Sequence, residues 1–92
     1  MITAIAIDDE PPALNIIASF CERSGVIDLK RKFNRPDEAI RFLHEEDVDL
    51  IFLDINMPSV SGIDLFNNLN NKNLVIFTTA HPQYAVEGFN LD

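Results

Sequence analysis

The sequence predicts an α/β fold built on a doubly wound parallel sheet, and three features of its pattern support this. Short runs of branched apolar residues alternate four times with segments whose apolar residues recur at helical spacing. Two of the runs, LIFL at 50–53 and LVIF at 74–77, are continuously apolar, as in strands covered on both faces. Strict strand–helix alternation favours parallel strands with helices on both sides of the sheet.

The first half of the chain predicts strand, helix, strand and helix. Residues 2–7 form a β-branched run that stops at the acidic, proline-containing segment 8–12. A helix follows and ends near Gly25, and its apolar residues at helical spacing are Ala13, Ile16, Ile17 and Phe20. Residues 26–33 predict the second strand and 34–37 open the second helix. The residues expected on one face of that helix are Ala39, Ile40 and Leu43.

The second half repeats the alternation. Residues 49–53 and 73–78 predict the third and fourth strands, and 61–69 the helix between them. Residues 82–91 predict a fourth helix with a proline near its start. No repeat or linker interrupts the pattern, so residues 1–92 are interpreted as one domain without a second one.

Charge and composition exclude several classes of function. Seven basic residues against fifteen acidic ones give a net charge of −8, which repels nucleic acid and anionic lipid and suits cations or a basic partner. No apolar run approaches the roughly 20 residues that span a bilayer, so no membrane role is expected. The single Cys21 excludes an internal disulfide, and no signal peptide precedes the first strand. A cytoplasmic protein is expected.

Three aspartates follow two of the predicted strands. Asp8 and Asp9 come after the first strand and Asp54 after the third, so they converge if those strands are neighbours. Oxygen ligands without nearby His or Cys suit Mg²⁺, and a carboxylate can accept a phosphoryl group. Alternatively, Asp8 and Asp9 cap the first helix and Asp54 starts a turn. Each alternative is reasonable for one residue, but all three residues on one edge favour a site.

The segments IAIDDE, LIFLDINMPSVSG and VIFTTA resemble, in order and spacing, the CheY-like receiver domain of two-component response regulators. The resemblance implies a five-stranded sheet in the order 2-1-3-4-5. It also implies that a sensor histidine kinase passes a phosphoryl group to Asp54, the residue at the end of the third strand. Mg²⁺ would be bound directly by Asp9, through water by Asp8, and by the backbone carbonyl of Asn56 as well as by Asp54.

The resemblance assigns further residues around the acceptor. Met57, Pro58 and Gly62 match the loop that leads into the third helix. Thr79 matches the hydroxyl residue that moves toward the phosphoryl group, and Ala80 the small residue that keeps access open. The alternative for Thr79 is an ordinary β-branched residue at a strand end.

The end of the chain leads to two expectations. Residues 80–92 resemble the fourth helix of regulators with a LytTR-type DNA-binding output domain, so the chain is interpreted as the N-terminal portion of such a regulator, without the fifth strand and helix. DNA would then be contacted only through a missing C-terminal domain. The apolar edge of the fourth strand is expected to pair or swap with a second copy, giving a homodimer, whereas the basic residues 30–32 would protect the other edge.

The sequence thus predicts a phosphorylation-controlled switch rather than an enzyme, with only self-phosphorylation and slow dephosphorylation as its chemistry. The alternative is a receiver-like scaffold that dimerises without taking phosphate. A Mg²⁺-dependent phosphatase with an aspartate nucleophile is disfavoured, because Asn56 stands where such enzymes need a proton donor.

Overall fold

The computed structural model describes residues 1–55, 57 and 73–78. In this part of the chain the elements alternate as predicted, in the order β1 (Ile2–Ile7), α1 (Pro11–Ser24), β2 (Ile27–Phe33), α2 (Pro36–Glu45), β3 (Leu50–Leu53) and β4 (Leu74–Phe77). The helices predicted at 61–69 and 82–91 lie outside the described residues. Neither described helix is long and apolar enough to cross a membrane.

The four strands form one parallel sheet in the order β2-β1-β3-β4. This confirms the predicted fold class and the predicted order for the strands that are described. Strands β1 and β3 are neighbours, and the chain continues from β1 to β2 on one side but from β3 to β4 on the other side. That reversal opens a crevice at the carboxyl ends of β1 and β3, which is where ligands bind in sheets of this kind.

Each face of the sheet carries its own apolar cluster. Alternate residues of β1 point to opposite faces, with Ala4 and Ala6 toward α1 and Ile5 and Ile7 toward α2. The cluster on the α1 side consists of Ala4, Ala6, Leu14, Ile17, Cys21, Leu50 and Phe52. The cluster on the α2 side consists of Ile5, Ile7, Phe33, Ala39, Val48, Ile51, Leu53 and Met57. Strand β3 is buried along its whole length, as its continuous apolar run predicts.

The buried face of α1 differs from the predicted one. Leu14, Ile17 and Cys21 face the sheet, whereas Ile16 is 70% exposed and Phe20 50% exposed. Two apolar stripes overlap on this helix, and the stripe at 14, 17 and 21 also has helical spacing. Packing against the sheet selects that stripe and leaves Ile16 exposed, so the prediction for Ile16 was wrong. Phe20 is half-buried, and its ring lies edge-on to that of Phe52 with 6.4 Å between the centroids.

The buried face of α2 also differs from the predicted one, but by a single residue. Ala39 is fully buried, and Phe42 and Leu43 pack against the α2-side cluster. Ile40 lies at the exposed side of the helix, contrary to the prediction. The ring of Phe42 takes part in the contact instead, with its centroid 5.5 Å from that of Phe33 on β2. The bulkier aromatic side chain thus reaches the sheet from another position on the helix.

Helix α1 starts and ends with local signals that the sequence carries. Two prolines, Pro11 and Pro12, occupy its first turn, where a missing N–H costs little. Gly25 ends it with φ of 72°, a left-handed conformation that glycine adopts without a steric penalty. The residue at the N-cap is Glu10, which makes no side-chain capping bond. Of the two aspartates before it, Asp8 accepts a hydrogen bond from the backbone N–H of Glu10, the N-cap residue itself.

The amino ends of β1 and β3 are joined by a pair of residues, Thr3 and Asp49. The Asp49 carboxylate accepts hydrogen bonds from the Thr3 backbone N–H at 3.0 Å and from the Thr3 hydroxyl at 3.1 Å. In return, the Asp49 N–H donates to the Thr3 carbonyl oxygen at 3.0 Å. These bonds hold the pKa of Asp49 below its usual value, the backbone N–H first and the hydroxyl second.

This pair predicts an acid-dependent contribution to stability. A carboxyl whose pKa is lowered on folding stabilises the fold above its unfolded pKa, and this contribution is lost as the pH falls through the lower, folded value. We expect Thr3→Val, which removes only the hydroxyl, to reduce the loss of stability on acidification. The control Thr3→Ser keeps the hydroxyl and should behave as wild type. The measurement is the urea midpoint from about pH 5 to about pH 2; equal acid profiles for both variants would contradict the prediction.

Candidate functional site

The pairing of β1 with β3 brings two of the predicted aspartates to the same place. Ile7 pairs with Leu53, and the residue after each of these is an aspartate. The backbone ladder continues one step further, because the Asp54 N–H donates to the Ile7 carbonyl at 2.9 Å and the Asp8 N–H to the Phe33 carbonyl at 3.0 Å. The backbone of Asp8 and Asp54 is therefore fixed by the sheet rather than by a loop.

Three carboxylates meet at this edge. Asp8, Asp9 and Asp54 each offer one oxygen atom, and these atoms lie within 4.8 Å of one another. The side chains of Asp8 and Asp54 are buried, and that of Asp9 is partly exposed. Asp8 Oδ1 accepts a hydrogen bond from the Glu10 N–H at 2.9 Å, which orients its carboxylate within the turn between β1 and α1. The convergence that the sequence predicts is present.

The surroundings of Asp8 make its charged form less favourable than it is in water. Burial raises the pKa of Asp8, and the nearby charges of Asp9 and Glu10 raise it further. The hydrogen bond from the Glu10 N–H and a hydrogen bond with Asp54 act in the opposite direction but do not cancel the rise. The pocket therefore concentrates more negative charge than its surroundings stabilise, and a bound cation would relieve this.

The donor set fits a hard divalent cation. All three ligand atoms are carboxylate oxygens, the type that Mg²⁺ prefers, and neither His nor Cys takes part in the group. A Mg²⁺ ion usually keeps several waters and is bound by one or two carboxylates, which an open edge with one partly exposed member allows. The residues present thus fit the predicted cofactor.

The remaining predicted residues fall into two groups. Met57 is described and buried, and it packs in the α2-side cluster with Ile7 and Leu53, so the chain after Asp54 is anchored to the core. Ile55 is also buried, which the sequence did not indicate. The other predicted residues lie outside the described part of the chain: Asn56, Pro58, Gly62, Thr79 and Ala80. Their roles remain predictions.

Thr78 is a residue near the site that sequence reasoning passed over. It follows β4 in the ladder beside Asp54, and its N–H donates to the Leu53 carbonyl at 2.9 Å. Its hydroxyl oxygen is buried and has no hydrogen-bond partner among the described residues. Buried hydroxyls are normally paired, and an unpaired one costs about 1–3 kcal/mol. No pattern in the sequence distinguishes such a hydroxyl from a satisfied one.

We expect Thr78→Val to stabilise the protein by about 0.5–1 kcal/mol, because it replaces a buried hydroxyl that has no partner in the described part of the chain with a methyl group of similar shape. The measurement is the midpoint of urea unfolding. Thr78→Ser keeps the hydroxyl, loses the methyl group and should be less stable than wild type. A loss of stability in the valine variant would mean that the hydroxyl has a partner in the folded protein.

Comparison with known proteins agrees with this geometry. The family described as "Response regulator receiver domain" matches residues 4–92. The chain is 37% identical over 92 residues to "Sensory transduction protein LytR" of Staphylococcus saprophyticus, and 31% identical over 91 residues to "Transcriptional regulatory protein BtsR" of Escherichia coli K12. In both comparisons 97% of the chain is covered, but only 36% and 38% of the relative.

A solved structure shows the same fold at similar identity. The crystal structure of the response regulatory domain of mrkE from Klebsiella pneumoniae matches with a TM-score of 0.83 and 32% identity, covering 97% of this chain and 75% of that one. The strand order, the acidic edge and the family match over almost the whole chain agree with one another. The chain belongs to the response regulator receiver domains.

Proposed function

We propose that the chain is the phospho-accepting receiver of a two-component response regulator, and that Asp54 takes a phosphoryl group from a sensor histidine kinase. The observation that supports this most strongly is the convergence of three carboxylate oxygens within 4.8 Å beyond the ends of β1 and β3. Parallel sheets bind ligands at this edge, and a carboxylate there can act as a nucleophile toward phosphorus.

In the proposed reaction, a carboxylate oxygen of Asp54 attacks the phosphorus atom in line with the leaving group. A new P–O bond forms to Asp54, and the P–N bond to the imidazole of the donor histidine breaks. The imidazole nitrogen keeps the electron pair. Water later attacks the phosphorus, and the Asp54 carboxylate leaves as inorganic phosphate forms. We propose no other catalytic activity for the chain.

Asp8, Asp9, Asp54 and the backbone carbonyl of Asn56 are the proposed ligands of Mg²⁺. When bound, the ion would offset the negative charge shared by the carboxylates and the phosphoryl oxygens. Asp8 is suited to metal binding because its Oδ1 already accepts a hydrogen bond from the Glu10 N–H at 2.9 Å, which fixes the orientation of the carboxylate. Such pre-orientation matters, since phosphoryl transfer depends mainly on positioning and charge neutralisation.

The proposed switch uses residues that follow β3 and β4. The Thr79 hydroxyl would donate a hydrogen bond to a phosphoryl oxygen, and the small Ala80 beside it would leave access open. The loop with Met57, Pro58 and Gly62 would then change conformation. The burial of Met57 supports an anchored start of this loop. The chain spans less than two-fifths of the length of its curated relatives. From the resemblance of residues 80–92 to LytTR-type regulators, the output is proposed to be a C-terminal DNA-binding domain of that type. We place the whole regulator in the cytoplasm.

The test is direct phosphorylation followed by intact-mass measurement. Incubation with acetyl phosphate and Mg²⁺ should add the mass of one phosphoryl group to the wild-type protein extended through the fifth strand and helix, and Asp54→Asn in the same protein should abolish the gain. Asp47→Asn is the matched control, because it makes the same charge change at an exposed position before β3 and should still be phosphorylated. Omitting Mg²⁺ should slow the reaction strongly.

A second candidate function is a phosphorylation-independent scaffold that works by dimerising. It is favoured by two apolar side chains of β4, Leu74 and Ile76, which are 72% and 47% exposed. No mass gain in wild type and Asp54→Asn alike would support the scaffold. A gain in both would mean that another residue accepts the group, and Asp54 would no longer be the proposed acceptor.

A further inference from the structure

Positive charge is concentrated in one part of the fold. Six of the seven basic residues lie between positions 23 and 41, although the chain as a whole carries a net charge of −8. In the structure this segment contains the end of α1, the whole of β2 and the first part of α2. Three of the six are consecutive and exposed on β2: Lys30, Arg31 and Lys32. The β2 side of the sheet is therefore a basic surface on an acidic protein.

A β-bulge determines on which side of the sheet two of these residues lie. The pairing of β2 with β1 shifts by one residue in the middle of the strands, which leaves Lys30 as an extra, bulged residue. Arg31 then pairs with Ile5, whose side chain faces α2. Lys32 pairs with Ala6, whose side chain faces α1. Because paired residues share a face of the sheet, Arg31 lies on the α2 side and Lys32 on the α1 side.

The contacts of the two side chains agree with this placement. The Arg31 guanidinium lies over the rings of Phe33 and Phe42, at 5.0 Å and 5.5 Å from their centroids. Lys32 Nζ donates to Oδ1 of Asn15 on α1 at 3.4 Å. Within the described part of the chain, neither cation forms an ion pair with a carboxylate. Both therefore keep their positive charge available to a partner.

An open groove of about 620 Å³ runs between α1 and β2. Lys32 is part of its lining, together with the other two basic residues of β2. The apolar part of the lining comes from both elements: Ala18, Cys21, Ile27 and Leu29. Binding grooves commonly combine an apolar floor with a few polar groups that fix the orientation of the ligand. This groove has both.

The charged residues of the lining distinguish the two ends of the groove. Glu22 and Asp28 lie toward the amino end of β2, where Asp28 forms an ion pair with Lys30 at 2.8 Å. Lys32 lies toward the carboxyl end, next to Asn15 in the first half of α1. An anionic group is therefore favoured at the carboxyl end of the groove, beside the apolar floor.

We propose that this groove is a docking site for an acidic peptide segment of a partner protein. An apolar side chain of the peptide lies on the groove floor, and its carboxylates are bound by Lys32 and Arg31. Because two rings already hold the Arg31 guanidinium, little conformational freedom is lost when it binds a carboxylate. Successive side chains of an extended peptide point in opposite directions, as these two cations do.

The chemistry of the groove favours a peptide over other anions. A net charge of −8 repels nucleic acid and anionic lipid, which carry dense negative charge, more strongly than it repels a short peptide. The apolar floor accommodates an apolar side chain of a peptide, whereas a phosphate backbone offers no such group. Charge and a bulge at β2 oppose the addition of a strand, so the peptide is held by side-chain contacts. None of the three carboxylates of the proposed phosphorylation site takes part.

The experiment titrates the labelled peptide Ser-Leu-Ile-Asp-Glu-Asp-Glu-Ser into the protein extended through the fifth strand and helix, and follows fluorescence anisotropy at low salt. Lys32→Gln and Arg31→Gln should each weaken binding about tenfold, because each removes a charge-assisted hydrogen bond. Ala18→Leu fills part of the floor without a change of charge and should also weaken binding. Arg41→Gln removes the same charge from an exposed position on α2 and is the control that should bind as wild type does.

Circular dichroism checks that each variant folds. Lys32→Gln loses only the contact with Asn15, so it remains a valid test if the loss of the ring contacts unfolds Arg31→Gln. In wild type, the amide resonances of Ala18, Leu29 and Lys32 should shift on addition of the peptide, which identifies the groove itself.

Control probes identify the chemistry that is recognised. The same peptide with Asn and Gln in place of its acidic residues should bind more weakly, and so should one with Ser in place of Leu and Ile. Equal binding of the neutral peptide, or no binding of the acidic one, would overturn the proposal. An equal loss in Arg41→Gln and Lys32→Gln would reduce the effect to general charge. Tighter binding of a short DNA duplex than of the acidic peptide would overturn it in favour of a phosphate-binding surface.

Discussion

Ile51→Ala is expected to lower the free energy of unfolding by about 2–5 kcal/mol, the usual cost of truncating a buried isoleucine to alanine. Ile51 is fully buried in the middle of β3, where it pairs with Ile5 on one side and Val75 on the other. It belongs to the α2-side cluster, so its removal leaves a cavity that the surrounding strands can fill only in part.

The size of this loss matters because small domains are marginally stable. A total of about 0.05–0.15 kcal/mol per residue gives the chain roughly 5–14 kcal/mol, so one core truncation removes a large fraction of it. Ile51→Val should cost only about 0.5–1.5 kcal/mol, since a single methyl group is lost. Urea unfolding followed by circular dichroism measures both.

The control for Ile51 also tests the corrected face of α1. Ile16 is 70% exposed, so Ile16→Ala should change stability by no more than about 0.5 kcal/mol. A loss comparable to that of Ile51→Ala would mean that Ile16 is part of the core, as the periodicity of the sequence first indicated. Similar small losses for both variants would contradict the central position of β3.

The strands were predictable because their signal is local and strong. β1 has the predicted bounds, β2 and β3 each begin one residue later than predicted, and β4 is one residue shorter at each end. Strand order is a different kind of information. The alternation of elements predicts only parallel strands, and the order came from the resemblance of IAIDDE and LIFLDINMPSVSG to a known family. The convergence of Asp8 with Asp54 depended on that order.

Burial on the helices was less predictable, for a physical reason. Helix α1 offers two overlapping apolar stripes, and local sequence cannot tell which of them meets the sheet. The choice depends on the angle at which the helix crosses β1 and β2, and thus on contacts distant in sequence. The bulge at Lys30 and the burial of the Thr78 hydroxyl without a partner among residues 1–55, 57 and 73–78 were likewise not predictable, because each depends on a neighbouring strand.

Asp8→Asn is expected to stabilise the metal-free protein by about 1–2 kcal/mol. Two unit charges about 5 Å apart repel each other by roughly 3 kcal/mol at an effective dielectric constant near 20, and partial exposure of the site reduces this. The amide side chain of this variant would keep the acceptor for the Glu10 N–H and could donate to Asp54, so the change removes charge while preserving shape and hydrogen bonds. Thermal or urea unfolding in the presence of a chelator measures the gain.

Addition of Mg²⁺ should reduce the stability difference between Asp8→Asn and wild type. At a concentration 100 times the dissociation constant, a ligand that binds only the folded state stabilises it by about 2.7 kcal/mol. If loss of the Asp8 charge weakens binding tenfold, which is at the low end for groups that support a metal site, the variant gains only about 1.4 kcal/mol at the same concentration. The difference between the two proteins should therefore fall by about 1.3 kcal/mol, and calorimetric titration should show the weaker binding directly.

The matched control separates the acidic site from net charge. Asp47→Asn removes one negative charge from an exposed position before β3, at the opposite end of the sheet from the carboxylates. It should change metal-free stability by no more than about 0.5 kcal/mol and keep the full response to Mg²⁺.

If Asp8→Asn destabilised the metal-free protein, the three carboxylates would not be in mutual repulsion. If it responded to Mg²⁺ as wild type does, the ion would bind elsewhere. Stabilisation without metal, combined with a weaker response to metal, is the result expected of a pocket whose repulsion a cation relieves.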